Sequence, residues 1–182
     1  MKKQIVKNKG VLFWITGLSG SGKTTLAKKI LPFVKKKCGP SVHLDGDKLR
    51  KILDLNGYSF KDRIANSKKF TRIAKFLTDQ GISVVFSLVG LMDKPRDWNR
   101  KNIKKYIEIY IKSDLKKIIS KKKKEIYKNK KEKNIVGINI KPQFPKKPDI
   151  TINNTFDKNI KKLGLELKTK VQILVKKRKY GK

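Results

Sequence analysis

The stretch that decides the fold reads Gly17-Leu18-Ser19-Gly20-Ser21-Gly22-Lys23-Thr24. It fits the pattern G-x-x-x-x-G-K-[ST], in which glycines let a loop wind tightly and turn several backbone N–H groups towards phosphate oxygens. Residues 11–16 before it are apolar and rich in β-formers, whereas residues 25–31 after it have the apolar spacing of a helix. A strand, a glycine loop and a helix in this order predict a site for the phosphates of a nucleoside triphosphate.

The polar positions of this loop have separate predicted roles. Lys23 is expected to reach the β and γ phosphates as a catalytic cation, and Thr24 is expected to offer its hydroxyl to Mg²⁺. ATP and Mg²⁺ are therefore the predicted cofactors. The predicted ATP-binding residues belong to the loop and the position after it: Gly17, Ser19, Gly20, Ser21, Gly22, Lys23, Thr24 and Thr25.

Composition narrows the class of protein. The chain has 182 residues, of which 37% are hydrophobic, and this suits one globular domain with a sizeable core. It has no apolar run long enough to cross a bilayer, and its start lacks the apolar stretch of a secretory signal, so we expect a cytoplasmic protein. Cys38 and His43 are the only cysteine and histidine, which excludes an intramolecular disulfide and a cysteine/histidine zinc site.

The formal net charge of +35 needs an interpretation of its own. Such an excess can indicate a nucleic-acid partner, because lysine–phosphate contacts release counterions. The lysines are scattered over nearly every predicted surface, however, and no basic patch alternates with aromatic residues as single-strand binders require. We interpret them as solvated faces that favour anionic ligands in general, and a nucleic-acid-binding ATPase stays an alternative.

The rest of the chain alternates short apolar strands with amphipathic helices. This pattern predicts a three-layer α/β fold, with a mostly parallel sheet of about five strands and helices on both faces. The predicted strands are 11–16, 41–44, 82–86, 106–111 and 149–152. The predicted helices are 25–37, 48–53, 61–79, one from Pro95, one from about Leu115 with Ser113 as its N-cap, and one from about Asp157.

Two segments interrupt this regular pattern within the single predicted domain, residues 1–182. A dense basic run from Lys121 to Lys133 leads into a proline-rich stretch, and we predict a mobile lid at about 121–148. The basic tail at about 176–182 is predicted to fray.

Charged and polar residues follow the second and third predicted strands. In parallel sheets, ligands bind beyond the carboxyl ends of the strands, where Asp45, Asp47, Arg50 and Ser87 fall. One of the two carboxylates can hold Mg²⁺ through water and accept a hydroxyl proton, while the other positions the substrate. Arg50 lies one helical turn further on and can pair with a phosphate.

Several separated motifs together resemble the adenylyl-sulfate kinases over roughly residues 10–154. The matching pieces are residues 14–25, 44–50 and 57–59, then Asp62, Arg63, Asn66, Arg96, Asp97 and Arg100, and finally 126–128 and 137–138. The resemblance implies a P-loop kinase fold and transfer of the ATP γ-phosphoryl group to the 3′-hydroxyl of a ribose whose 5′ side carries an activated phosphate. It also favours a homodimer.

The same resemblance assigns roles on the acceptor side. Asp45 becomes the candidate to orient or deprotonate the 3′-hydroxyl, while Lys23, Thr24 and Mg²⁺ neutralise the donor phosphates. The residues expected to bind the acceptor are Asp45, Asp47, Arg50, Tyr58, Arg63, Asn66, Ser87, Lys124, Ile135, Val136 and Gly137.

The chain departs from the family pattern on this acceptor side. Family members usually clamp the acceptor's adenine between two phenylalanines, and Tyr58 and Ile135 stand at those positions here. An aromatic side chain stacked on a base is worth about 1–3 kcal/mol, so an aliphatic residue weakens a purine site. The lid sequence from Val136 to Pro142 resembles a branch of the family associated with surface-polysaccharide genes, in which a cytidine diphosphoramidate kinase is known.

A cytidine nucleotide such as cytidine diphosphoramidate is therefore the favoured acceptor. Adenylyl sulfate is the alternative within the family. Outside it remain a P-loop kinase for a sugar or a shikimate-like acid, the nucleic-acid-binding ATPase, and a catalytically idle scaffold.

Overall fold

The computed structural model describes residues 9–121 and 133–180, and in these residues the apolar runs form a sheet of five strands. The strands are β1 (Leu12–Thr16), β2 (Ser41–Asp45), β3 (Ser83–Ser87), β4 (Tyr106–Lys112) and β5 (Ile150–Asn153). The helices are α1 (Lys23–Cys38), α2 (Gly46–Ile52), α3 (Phe60–Asp79), α4 (Asp93–Asn102), α5 (Leu115–Ser120) and α6 (Ile160–Lys177).

All strand pairs in the sheet are parallel, and the strand order is β2-β3-β1-β4-β5. The central strand β1 is fully buried, as expected for a parallel strand covered on both faces. Its register aligns Ile15 with Ser87, and β2 in turn aligns Asp45 with Ser87. The carboxyl ends of these three strands therefore finish level with one another, beside the loop that follows β1.

Each face of the sheet carries its own hydrophobic core. Phe13 and Ile15 of β1 face a core that includes α1 and α6, whereas Leu12 and Trp14 face a core that includes α3. This alternation follows from the two-residue period of a strand. The helices thus cover both faces, and the predicted three-layer α/β fold is confirmed.

The lid segment is only partly described. Residues 133–148 follow the gap, and their apolar side chains Val136 and Ile140 pack in a third cluster with Leu18, Leu91 and Ile118. Residues 122–132, which include Lys124 and most of the predicted basic run, lie outside the described residues. Mobility of the lid stays a prediction.

One predicted helix cap is wrong. The N-cap of α5 is Asp114, whose carboxylate accepts a hydrogen bond of 2.9 Å from the backbone N–H of Lys117. Ser113 lies one residue too early to reach the first turn of this helix. Both residue types are good N-caps, so the path of the backbone decides between neighbours.

The end of α6 makes specific contacts in residues 176–180, the part of the predicted frayed tail that the structure describes, and fraying itself stays a prediction. The helix continues to Lys177, and Arg178 then pairs with the buried carboxylate of Asp149 and donates to the carbonyl oxygen of Tyr106 at 3.1 Å. Tyr180 packs against the core beneath α1 and α6. An ion pair and an aromatic anchor therefore dock a segment that its charge alone suggested would be loose.

Within the part of the chain that the structure describes, no helix is both long enough and apolar enough to cross a membrane.

We expect Arg178→Ala to lower the free energy of unfolding by about 1–3 kcal/mol, because it leaves Asp149 with one charged partner fewer. Chemical denaturation measures this change. Lys177→Ala is the matched control, since that side chain is exposed and its removal should change stability by less than about 0.5 kcal/mol. Equal stability of the two variants would show that the end of α6 is not docked.

Candidate functional site

The phosphate loop joins β1 to α1 with a backbone that only glycine tolerates at two points. Gly22, the N-cap of α1, has φ +94°, in the left-handed region. A Cβ at Gly17 would lie 2.5 Å from the carbonyl oxygen of Ile111, so no other residue fits there without moving β4. The amide groups of the first turn of α1 consequently face the space above the loop, which favours an anion.

Contacts from the chain after β5 hold this loop in place. Asn154 is buried, and its Nδ2 donates a hydrogen bond of 3.0 Å to the carbonyl oxygen of Ser21. Its Oδ1 accepts from the backbone N–H of Phe156 at 3.0 Å. Within the loop, the Lys23 ammonium group donates to the carbonyl oxygen of Leu18 at 2.7 Å. The loop is therefore braced both from within and by a segment 133 residues away in sequence.

A cavity of about 570 Å³ opens above the loop, within the range typical of cofactor sites. The loop contributes Ser19, Gly20, Gly22, Lys23, Thr24 and Thr25 to its lining. Further lining comes from Asn154, Phe156, Lys158, Ile160 and Leu163, which were not predicted from the sequence, and from Lys121, which was expected to add a cation from the lid. The lining thus includes apolar side chains and two lysines besides that of the loop.

Two of the predicted ATP-binding residues do not line this cavity. Gly17 and Ser21 are buried in the framework of the loop, and the position that a Cβ of Gly17 would take is 3.0 Å from the Ser21 Oγ. They shape the loop, and the residues next to them face the ligand space.

Asp45 lies at the junction of β2 and α2, where it receives four hydrogen bonds. Its Oδ2 accepts from the Thr24 hydroxyl at 2.8 Å and from the Ser87 hydroxyl at 3.0 Å. Its Oδ1 accepts from the backbone N–H groups of Asp47 at 3.1 Å and Lys48 at 3.3 Å, which caps α2. One carboxylate therefore joins the phosphate loop, the end of β3 and the start of α2.

These hydrogen bonds set the protonation state of the carboxylate. Burial by itself would raise the pKa of Asp45, but the hydrogen bonds from Thr24, Lys48, Ser87 and Asp47 outweigh it and lower that pKa below its usual value. Asp45 is accordingly ionised at neutral pH, which suits an oxygen ligand for a cation or an acceptor for a hydroxyl proton.

A second, smaller cavity of about 50 Å³ adjoins the first, and Asp47, Leu88 and Val89 line both. Five residues predicted to bind the acceptor line it together: Asp47, Arg50, Tyr58, Arg63 and Asn66. Residues from separate motifs of the sequence thus line one cavity close to Asp45.

The two arginines of this cavity are fixed by contacts to Tyr58 and its neighbour. The Arg50 guanidinium lies 4.1 Å from the centre of the Tyr58 ring and donates to the carbonyl oxygen of Gly57. Arg63 donates from Nε to the carbonyl oxygen of Tyr58 at 2.9 Å, and also to that of Asn134 at 2.9 Å. Tyr58 keeps nearly half of its surface exposed, so its ring can still contact a ligand.

Local sequence explains why α3 presents these residues. Ser59 and Asp62 form a capping box, in which the Ser59 hydroxyl accepts from the backbone N–H of Asp62 and the Asp62 carboxylate accepts from that of Ser59. The box fixes the start of the helix, and Arg63 and Asn66 follow on its first and second turns.

Three predicted acceptor residues of the lid line neither of these two cavities. Ile135 and Val136 are buried, and a Cβ at Gly137 would lie 3.1 Å from a methyl group of Leu18. Val136 packs in the apolar cluster that includes Leu18 of the loop, and none of the three residues lines either cavity. Contact between this segment and an acceptor stays a prediction, as does the role of Lys124.

Comparison with known proteins gives an independent indication of the family. Residues 9–153 match the family described as Adenylylsulphate kinase. A Cytidine diphosphoramidate kinase of Campylobacter jejuni is 37% identical over 175 residues, which cover 94% of this chain and 98% of that protein. An Adenylyl-sulfate kinase of Clostridium kluyveri is 31% identical over 162 residues, which cover 86% of this chain and 81% of that protein.

A solved structure extends the likeness to three dimensions. The Mycobacterium tuberculosis APS kinase CysC, in complex with AMPPNP and APS, superposes with a TM-score of 0.79 at 27% identity. The superposition covers 90% of this chain and 98% of that one.

We expect Asn154→Ala to weaken binding of AMPPNP about five- to tenfold, because the loop loses the hydrogen bond that braces the Ser21 carbonyl. Isothermal titration calorimetry measures the affinity. Asn153→Ala is the control, since that neighbouring side chain is exposed on β5. If the two variants bind equally well, Asn154 does not support the loop.

Proposed function

Because the chain belongs to the adenylylsulphate kinase family, as its motifs predict, we propose that it transfers the γ-phosphoryl group of ATP to the 3′-hydroxyl of a 5′-activated nucleotide. The observation that carries this proposal is the 2.8 Å hydrogen bond from Thr24 to Asp45. It joins the donor loop to a carboxylate of the larger cavity, two residues before Asp47, which lines both cavities. A phosphoryl donor above the loop and a sugar hydroxyl beside Asp45 would then face each other.

The donor side fits ATP with Mg²⁺. The Thr24 hydroxyl and the Asp45 carboxylate supply oxygen atoms of the kind that Mg²⁺ prefers, and this ion typically takes only one or two protein ligands beside phosphates and water. When bound, Mg²⁺ would neutralise charge on the donor phosphates. Lys23 and the loop amides hold the same phosphates from the protein side, and Phe156 and Ile160 offer apolar surface to the base.

Asp45 orients the acceptor hydroxyl in this proposal. Its lowered pKa makes it a weak base, while its ionised state makes it a strong hydrogen-bond acceptor. The acceptor hydroxyl does not have to lose its proton early in phosphoryl transfer. The transition state is loose, so the attacking oxygen has formed little of its bond to phosphorus when that state is reached. A carboxylate held rigidly from four directions therefore contributes positioning, and the hydroxyl proton passes to it as the new bond forms.

The residue types on the acceptor side suit the phosphates on the 5′ side of a nucleotide. Arg50 and Arg63 provide planar cations suited to phosphate oxygens, and Asn66 adds amide donors on the same wall. Tyr58 offers one aromatic face to a base. Ile135 supplies none, since it is aliphatic and buried.

A cytidine nucleotide such as cytidine diphosphoramidate is the acceptor that we favour. A pyrimidine needs less stacking surface than a purine, and the relative from Campylobacter jejuni named for this substrate aligns over 94% of the chain. In this role the enzyme would act in the cytoplasm, as a homodimer, on a precursor for modification of a capsule or another surface polysaccharide. Adenylyl sulfate is the second candidate, supported by the adenylyl-sulfate kinases among the relatives.

A two-substrate assay tests the acceptor. Purified protein with Mg-ATP is given cytidine 5′-diphosphoramidate or adenylyl sulfate, and initial rates are compared across concentrations. We expect a higher kcat/KM for the cytidine compound. The reverse order would identify the protein as an adenylyl-sulfate kinase, and turnover of neither nucleotide would contradict the proposed function.

Lys23→Ala should reduce turnover about 10²- to 10³-fold, because it removes a cation from the transferred phosphoryl group. The control is Lys36→Ala, an exposed lysine near the other end of the same helix. Initial-rate kinetics with the better acceptor measures both. Near-normal turnover of Lys23→Ala would rule out the assigned role of the loop.

A further inference from the structure

The single histidine of the chain is connected to Asp45 through a hydroxyl group. His43 lies on β2, two residues before Asp45, and its Nε2 is 2.9 Å from the Ser87 Oγ. The Ser87 Oγ is in turn 3.0 Å from Asp45 Oδ2. Imidazole, hydroxyl and carboxylate thus form a continuous chain across the β2–β3 pair, in which Asp45 and Ser87 are register partners.

The number of available protons determines which group donates in each of these two hydrogen bonds. An ionised carboxylate only accepts hydrogen bonds, and a serine hydroxyl has one proton to donate. The Ser87 proton therefore goes to Asp45, and the contact between His43 and Ser87 requires a proton on Nε2 of the histidine. The neutral Nε2–H tautomer and the imidazolium both provide it, so the bond does not depend on the charge of the ring.

The hydroxyl needs such a partner because it can rotate. A serine hydroxyl turns about its Cβ–Oγ bond to suit whichever acceptor is nearest. A donor placed against the Ser87 oxygen occupies a lone pair and leaves the proton directed at Asp45. Linked hydrogen bonds of this kind also strengthen one another in a half-buried site.

We propose that His43 is a positioning residue for the phosphoryl transfer, which holds the Ser87 hydroxyl in the orientation that donates to Asp45 Oδ2. The proposal rests on the proposed function, in which Asp45 orients the acceptor hydroxyl. His43 itself lines neither of the two cavities, whereas Ser87 and Asp45 both line the larger one. The histidine therefore acts on the substrate through its partners.

Two substitutions separate this role from packing. His43→Leu keeps a side chain of similar bulk but removes the donor, and we expect kcat to fall about five- to tenfold with an unchanged KM for ATP. His43→Gln carries an amide N–H near the position of Nε2 and should restore kcat to within about twofold of the wild type. Equal kcat for His43→Leu and the wild type would overturn the proposal, and so would equal losses in the two variants.

A double-mutant cycle tests the route through Ser87. In a Ser87→Ala background, His43→Leu should cause no further loss of kcat, because the hydroxyl that it positions is gone. Additive losses would overturn the proposal. AMPPNP affinity, measured for each variant, reports whether the nucleotide site is still folded.

The hydrogen bond between His43 and Ser87 can also be tested in the wild-type protein. Since the chain has one histidine, ¹⁵N NMR of histidine-labelled protein gives one imidazole, and at pH 8 we expect the Nε2–H tautomer. A neutral ring protonated at Nδ1 would overturn the proposal even if His43→Leu does not fold. Failure of the wild type to phosphorylate either nucleotide would instead contradict the proposed function, and the tautomer would still report on the hydrogen-bond chain.

Discussion

Thr24 and Asp45 are brought together by the register of the sheet, and the site depends on their contact. Thr24 lies in the first turn of α1, which the phosphate loop connects to the buried strand β1. Asp45 ends β2 and is the register partner of Ser87 on β3. A shift of β2 by one residue would turn Asp45 to the other face and separate donor loop from acceptor side. The packing of both faces of the sheet thus maintains the 2.8 Å hydrogen bond that joins the donor loop to Asp45.

The donor loop and the acceptor carboxylates could be predicted because their signals are local. Glycines, a lysine and a hydroxyl at fixed spacing describe the loop, and Asp45 follows the short strand predicted at residues 41–44. The level at which parallel strands end is a general property of the fold, so the meeting of Asp45 and Ser87 follows from strand assignment alone. The family resemblance added Arg63 and Asn66, whose helix is positioned by the local Ser59–Asp62 capping box.

Other parts of the site depend on contacts between distant residues, which no local pattern records. Asn154 supports a loop 133 residues earlier, and its only sequence signal is its position just after the last strand. The contact of Arg178 with Asp149 could not be predicted, because the sequence does not show that Asp149 is buried beside it. Ile135 was assigned to the acceptor by analogy; its side chain is buried, and its contact with an acceptor stays a prediction.

The division of the structure also explains how acceptor preference can change while the donor chemistry is kept. The loop is anchored by α1 in one core and by Asn154, whereas Arg50, Tyr58 and Arg63 belong to α2, α3 and the turn between them, over the other core. The two halves meet at Asp47, Leu88 and Val89, which line both cavities, and at Asp45. A substitution at Tyr58 therefore alters the surface presented to a base without moving Lys23, Thr24 or the carboxylate. Electrostatics and geometry at the reacting atoms can stay constant while the recognised nucleotide differs, which is the arrangement that a family with several acceptors requires.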